Sequence, residues 1–208
     1  VYGNGTDIDD DISAFISNPM EHAEASKIAL FSIADYAWNM DAYKSDASWR
    51  RAVRYLMPGH AAALQVFASH NSDLGGNEHD FRREESEQIR PALERLLDAY
   101  CREGKREVAA ASAVTEECER MIASADLLLA SDENPALINE ISPWLMQFKL
   151  LGEFGREVLC MLAAQCDGKK TELEKAASHA KALQVLIKKI AATYNQNGFQ
   201  PGVKTGSC

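Results

Sequence analysis

Asn18-Pro19 is where this sequence most clearly ties a side chain able to do chemistry to a definite place in a fold. The residues before it, Asp11-Ile12-Ser13-Ala14-Phe15-Ile16-Ser17, alternate apolar with polar or small types in the period of a strand. Those after it, Met20 to Trp38, repeat apolar residues at helical spacing, with Ile28, Phe31 and Ala34 on one side. Proline disfavours the α conformation at Asn18 and can itself open a helix, so the strand ends where the asparagine projects. A polar residue at the carboxyl end of a strand that feeds a helix is where β/α enzymes bind ligand. The rest of the chain reads as helix, which leaves this strand without partners. The expectation is a fragment whose sheet lies upstream.

Other groups carry weaker signals. Asp7, Asp9, Asp10 and Asp11 are a dense acidic cluster, suited to acid/base work or to hard cations. They precede the strand, however, away from the ligand face of a barrel, so a solvated turn or a helix start capped by Thr6 is favoured. His70, Asp73, His79 and Asp80 share a short loop but match no His-x-x-x-His pair and no zinc ribbon, so no metal is expected. His22 and His179 read as surface or boundary residues, and Trp38, Trp49 and Trp144 as core or interhelical anchors. Five cysteines without a Cys-x-x-Cys give no zinc or disulfide framework; Cys101, Cys118 and Cys160 read as small core residues. No serine-histidine-acid order, phosphate loop or nucleotide fingerprint is present, and no cofactor is implied.

The elements that must position these groups are mostly helices. Ser45 to Met57 carries the stripe Trp49, Ala52, Val53, Leu56 and Met57. Pro58-Gly59 interrupts it, and a short helix with Leu64, Phe67 and Ala68 runs out in a turn-rich stretch from His70 to Gly76. From about Glu84 a helix resumes with Ile89, Leu93, Leu96, Leu97, Tyr100 and Cys101 inward; Pro91 is either its first-turn residue or a kink. Three long helices follow. The first, near 106–131, buries Val114, Cys118, Met121, Ile122, Ala125 and Leu128. The second restarts at Asn134-Pro135 and should kink at Pro143. The third follows Gly168 with Leu173, Ala176, Ala180, Leu183, Ile187, Ile190 and Tyr194 in a heptad-like seam. An antiparallel bundle explains that seam better than an open coiled coil. The tail from Asn195 is loop.

At 208 residues with 46% apolar composition, a buried core is easily formed. The net charge of −9 argues against a nucleic-acid partner and an anionic membrane face, and no apolar run is long enough to span a bilayer.

The stretch Ile16-Ser17-Asn18-Pro19-Met20-Glu21-His22-Ala23-Glu24-Ala25-Ser26-Lys27-Ile28-Ala29-Leu30, continued by Asp35-Tyr36-Ala37-Trp38-Asn39, closely resembles glycoside hydrolase family 84. The likeness continues through Ala68-Ser69-His70-Asn71-Ser72-Asp73-Leu74-Gly75 and Arg83-Glu84-Glu85-Ser86. It recurs at Ile141-Ser142-Pro143-Trp144, Gln147-Phe148-Lys149 and Gln200-Pro201-Gly202-Val203-Lys204-Thr205. These are bacterial β-N-acetylglucosaminidases, some called hyaluronidases, and relatives of the O-GlcNAcases.

The resemblance implies a mainly α fold: the last strand and helix of a truncated TIM barrel over 1–40, a helical bundle over 41–195 and a loop tail over 196–208. It implies substrate-assisted, retaining hydrolysis of terminal N-acetylglucosamine, with an adjacent aspartate pair on an earlier barrel strand upstream of Val1. Asp10-Asp11 mimics that pair but falls before the last strand, so no catalytic residue is expected in this chain. Asn18 alone carries over, as the family asparagine that hydrogen-bonds sugar hydroxyls. The partners implied are a glycan or glycoprotein bearing N-acetylglucosamine and the upstream barrel, and the location that of a secreted or cell-surface bacterial protein. The alternatives are a helical interaction or homodimerisation module without catalysis, and an autonomous helical protein in which Ile12–Ser17 is not a strand.

Overall fold

A computed structural model describes residues 14, 16–19, 22–71 and 86–194. Among them seven helices follow one another: α1 (Ala23–Trp38), α2 (Ser45–Leu56), α3 (Ala61–Ser69), α4 (Arg90–Glu103), α5 (Val108–Leu129), α6 (Pro135–Cys166) and α7 (Lys170–Tyr194). Ala14 and Ile16–Pro19 are neither helix nor strand; the rest of the expected strand lies outside the described residues. A barrel strand needs neighbours to take its N–H and C=O groups, and none is described here.

The central pair is α5 and α6, which pack along each other, while α7 lies on α6. Two apolar clusters fill the bundle. In the larger, Val53 and Leu56 of α2, with Met57 just beyond its end, meet Leu64 and Phe67 of α3, Leu128 of α5 and Leu137, Ile141, Leu145 and Phe148 of α6. The smaller joins Ile89, Ala92 and Leu96 to Ala110, Ala111, Val114 and Cys118 of α5, with Leu159 and Leu162 of α6 against it. Small residues let α5 and α6 approach closely. A Cβ at Gly152 would come to 3.0 Å from the Cys118 carbonyl oxygen, and one at Gly155 to 2.8 Å from the Cys118 sulfur.

Local chemistry explains most boundaries. Asn134 caps α6, its Oδ1 accepting from Leu137 N at 3.1 Å, and Pro135 follows in the first turn. Pro91 likewise opens α4 rather than kinking it. Gly104 (φ +62°) and Gly168 (φ +67°) end α4 and α6 in the left-handed conformation that glycine adopts without penalty. Pro143 lies buried within a continuous α6. It cannot donate to the Asn139 carbonyl one turn back, and the Ser142 hydroxyl donates there instead at 3.4 Å.

Several inward-facing assignments change. On α1 the buried residues are Ser26, Ser32 and Tyr36, whereas Ile28 and Phe31 are half-buried and Ala34 is exposed. Serines let this helix sit close on α2 and α6, and Tyr36 packs edge-on against Tyr43 at 5.3 Å. Trp38 is no anchor: it is 92% exposed, because it lies roughly 200° around the helix from Tyr36. Leu97 and Cys101 are exposed because α4 turns the Ile89–Ala92–Leu96 face toward α5. Cys160 is also exposed, while Cys118 is buried and its thiol pushed up to about 11, first by desolvation and then by Glu117 and Glu119.

Candidate functional site

Asn18 is exposed, in non-helical backbone just before α1. Its position depends on how α1 begins. The residue at the N-cap is His22, whose side chain makes no capping bond. The cap comes from α6. Glu140 Oε2 accepts from Glu24 N at 2.9 Å and Ala25 N at 3.0 Å, and its Oε1 from Glu24 N at 3.1 Å. A carboxylate at a helix N-terminus satisfies unpaired N–H groups and complements the positive end of the dipole. Around it, the Asn134 amide donates to Glu24 Oε2 and to the Leu56 carbonyl, both at 3.4 Å, and His22 meets Trp144 edge-on at 5.4 Å. The segment carrying Asn18 therefore leads into a helix start clamped from α6. Glu133 holds the turn ahead of α3, accepting from Gly59 N at 2.7 Å and bonding His60 Nδ1 at 2.8 Å.

A second cluster joins residues far apart in sequence. His70 Nε2 donates to Glu117 Oε1 at 2.7 Å, and His70 Nδ1 shares a 2.6 Å hydrogen bond with the Ser86 hydroxyl. Arg120 donates to the other Glu117 oxygen. Ser86 has φ +54°, a left-handed conformation uncommon for a residue with a side chain. Sequence order concealed this serine-histidine-acid series, although His70 and Ser86 each lie in a resemblance motif. Its distances suit a nucleophile and base, but the room does not. The imidazole is 8% exposed and the adjoining cavity holds only about 20 Å3, space for about one water. The cluster is a clasp that ties the end of α3 and the approach to α4 onto α5.

Burial pushes the Glu117 carboxyl up, yet the hydrogen bonds from His70 and Arg120 outweigh it and leave it below its ordinary value. A carboxylate depressed on folding stabilises the fold fully above its unfolded pKa of about 4.3, and loses that contribution as pH falls through the folded value. Denaturant unfolding followed from neutral pH downward is expected to show stability falling below about pH 4.3. In Glu117→Gln that decline should be shallower; an identical slope would mean that the carboxylate carries no such linkage.

Asp7, Asp9, Asp10, Asp11, Asp73, His79 and Asp80 lie outside the described residues. Among the described residues no three His, Cys, Asp or Glu side chains are grouped to hold a metal ion. His179 is exposed, 3.7 Å from Glu157. Trp49 and Trp144 are half-buried against the larger cluster. No helix among the described residues is long and apolar enough to cross a membrane.

Residues 85–208 match the family model described as "Bacterial GH84, post-catalytic domain", and residues 1–69 match the model "beta-N-acetylglucosaminidase". Among solved structures, CpGH84B is similar with a TM-score of 0.76 at 24% identity, over 86% of this chain and 31% of that one. CpGH84D gives a TM-score of 0.71 at 27% identity, over 84% of this chain and 29% of that one. A mutant O-GlcNAc hydrolase of Thermobaculum terrenum gives 0.65 at 19% identity, over 86% of this chain and 41% of that one. This chain thus spans 29–41% of the length of these three structures. A post-catalytic match covering most of the sequence, on a bundle of the same fold as these structures, means that the chain belongs to the bacterial GH84 family.

Proposed function

We propose that the chain is the C-terminal part of a retaining β-N-acetylglucosaminidase, releasing terminal N-acetylglucosamine from glycans or glycoproteins. In this reading residues 1–40 are the last strand and helix of the catalytic barrel, 41–195 the helical domain and 196–208 a loop tail. Asn18 binds sugar hydroxyls from the rim. The adjacent aspartates lie upstream: one orients the substrate's 2-acetamido group, whose oxygen attacks the anomeric carbon, and the other protonates the leaving oxygen, then takes a proton from water.

The observation that carries this is the join between two family matches. The N-terminal match leads through Asn18 into α1, and α1 is capped not by its own residues but by Glu140 of the helical domain. Three exposed apolar side chains at or beside α1 support it, Ile16 at 94%, Trp38 at 92% and Tyr55 at 71%, as expected where neighbouring barrel elements would cover them.

Two assays test the reading. The isolated chain is expected not to turn over a chromogenic N-acetylglucosaminide, since it brings one binding residue and no acid/base pair. In the full-length enzyme, Asn18→Ala should lower kcat/KM by about 10–100-fold, the cost of leaving a sugar hydroxyl and its site unpaired. Turnover by the chain alone, or an unaltered kcat/KM in the variant, would overturn the assignment. A second reading, a homodimer through the bundle, is favoured by Val185 and Leu186 on α7, 65% and 46% exposed. Light scattering over a concentration series tests the dimer, and a monomer throughout overturns it.

A further inference from the structure

A cleft on the bundle, separate from Asn18, has the chemistry of a sugar site. It holds about 440 Å3, within the range of about 300–1,000 Å3 typical of small-ligand pockets. Trp49 and Asp46 of α2 line it together with Gln65 of α3, Gln88 ahead of α4, and Arg50 and Arg120.

Its composition narrows the ligand class. Two guanidinium groups, Arg50 and Arg120, are matched by two carboxylates, Asp46 and Glu117, so the lining is formally neutral although the chain carries −9. That balance gives no net attraction to a phosphate or a uronate. A tryptophan among amides, a carboxylate and guanidinium groups offers an apolar face for the C–H side of a pyranose and polar groups for its hydroxyls. An aliphatic ligand would press carbon against the Gln65 and Gln88 amides.

The wall is held firmly. Glu117 is fixed by His70 at 2.7 Å and by Arg120, and the imidazole packs 5.4 Å from Phe148. Such contacts fix one wall of the cleft before the ligand arrives.

We propose that this cleft binds a neutral oligosaccharide, with one sugar ring against Trp49 and its hydroxyls met by Gln65, Gln88 and Asp46. In a glycosidase it would hold a second portion of the glycan and raise the effective concentration of the first. The preference for N-acetylglucosamine over other sugars rests on the functional reading above; the cleft itself does not.

The test is a titration of the 15N-labelled chain with diacetylchitobiose and, separately, with cellobiose. The Trp49 indole N–H resonance, assigned with Trp49→Phe, should move saturably while that of Trp38 stays put. Gln88→Ala, at an exposed position outside both apolar clusters, should weaken binding about 5-fold, the worth of one hydrogen bond. Gln65→Ala should do the same. Saturation by either disaccharide supports the cleft, and tighter binding of diacetylchitobiose supports its link to the parent reaction. No saturable shift up to tens of millimolar, an equal shift at Trp38, or unchanged affinity in Gln88→Ala would overturn it. Loss of hydrolysis in the parent enzyme leaves this readout untouched, so the two proposals fail separately.

Discussion

Phe148→Ala is expected to destabilise the chain by about 3–5 kcal/mol, the range for deleting a buried aromatic side chain. Phe148 is 3% exposed, packs edge-on against Phe67 at 5.4 Å and lies 5.4 Å from the His70 ring. The deletion removes apolar burial, leaves a cavity between α3 and α6, and frees one side of the His70–Glu117 clasp. Domains of this kind are stable by only about 5–15 kcal/mol, so the variant should lose a large part of its total. Guanidinium unfolding monitored by circular dichroism reads the change. Phe148→Leu should recover much of it, because the volume change is smaller. A loss under about 1 kcal/mol for the alanine variant would show that the bundle closes over the gap and that this contact does not organise the larger cluster.

Glu140→Ala should cost about 1.5–3 kcal/mol, large for one partly exposed side chain. The reason is that the side chain serves backbone outside its own helix. Its two oxygens accept from Glu24 N and Ala25 N at 2.9–3.1 Å, and His22 offers no substitute cap. Hydrogen bonds to a charged acceptor are worth more than neutral ones, and the negative charge also complements the α1 dipole. Glu140→Gln keeps an acceptor without the charge and should lose roughly half as much. Amide hydrogen exchange locates the effect: Glu24 and Ala25 should exchange faster, while the amides of α5 keep their protection. If protection falls evenly over the bundle, Glu140 is a general stability residue and not a clamp on α1. If Asn18 binds sugar as proposed, the alanine variant of the longer protein should raise KM for an N-acetylglucosaminide with less change in kcat, since Asn18 precedes the loosened helix start.

Which parts of this fold the sequence makes visible follows from the range of the forces involved. Helix starts and stops are local. Asn134-Pro135 and Gly168 act through backbone geometry and hydrogen bonds within one turn, as their residue types dictate, whereas Pro91 fitted either a first turn or a kink until the structure placed it at the start of α4. Val53, Leu56 and Met57 are buried as their spacing requires, because a helix with one apolar stripe has one way to face a core. The helices with less one-sided patterns misled. On α1, apolar residues occur around much of the circumference, and the face turned inward carries Ser26 and Ser32, which permit close approach to α2 and α6. Trp38, Cys101 and Cys160 fail as core residues for a related reason: a helix packed on one or two neighbours buries only one side.

The candidate site divides the same way. Asn18 is singled out by local signals, the proline after it and a family likeness carried by contiguous residues, and its role at a sugar is a proposal. The sequence by itself determined the helical content, the restart of α6 at Asn134-Pro135, the main stripe of the core and the family. Tertiary structure alone decided that Glu140 caps a helix 116 residues away, that His70 and Glu117 meet across 47 residues, and that Trp49 shares a cleft with Gln88 and Arg120. The physical reason is that periodicity records which side of a helix avoids water, whereas pairing of polar groups depends on how whole helices are set against one another.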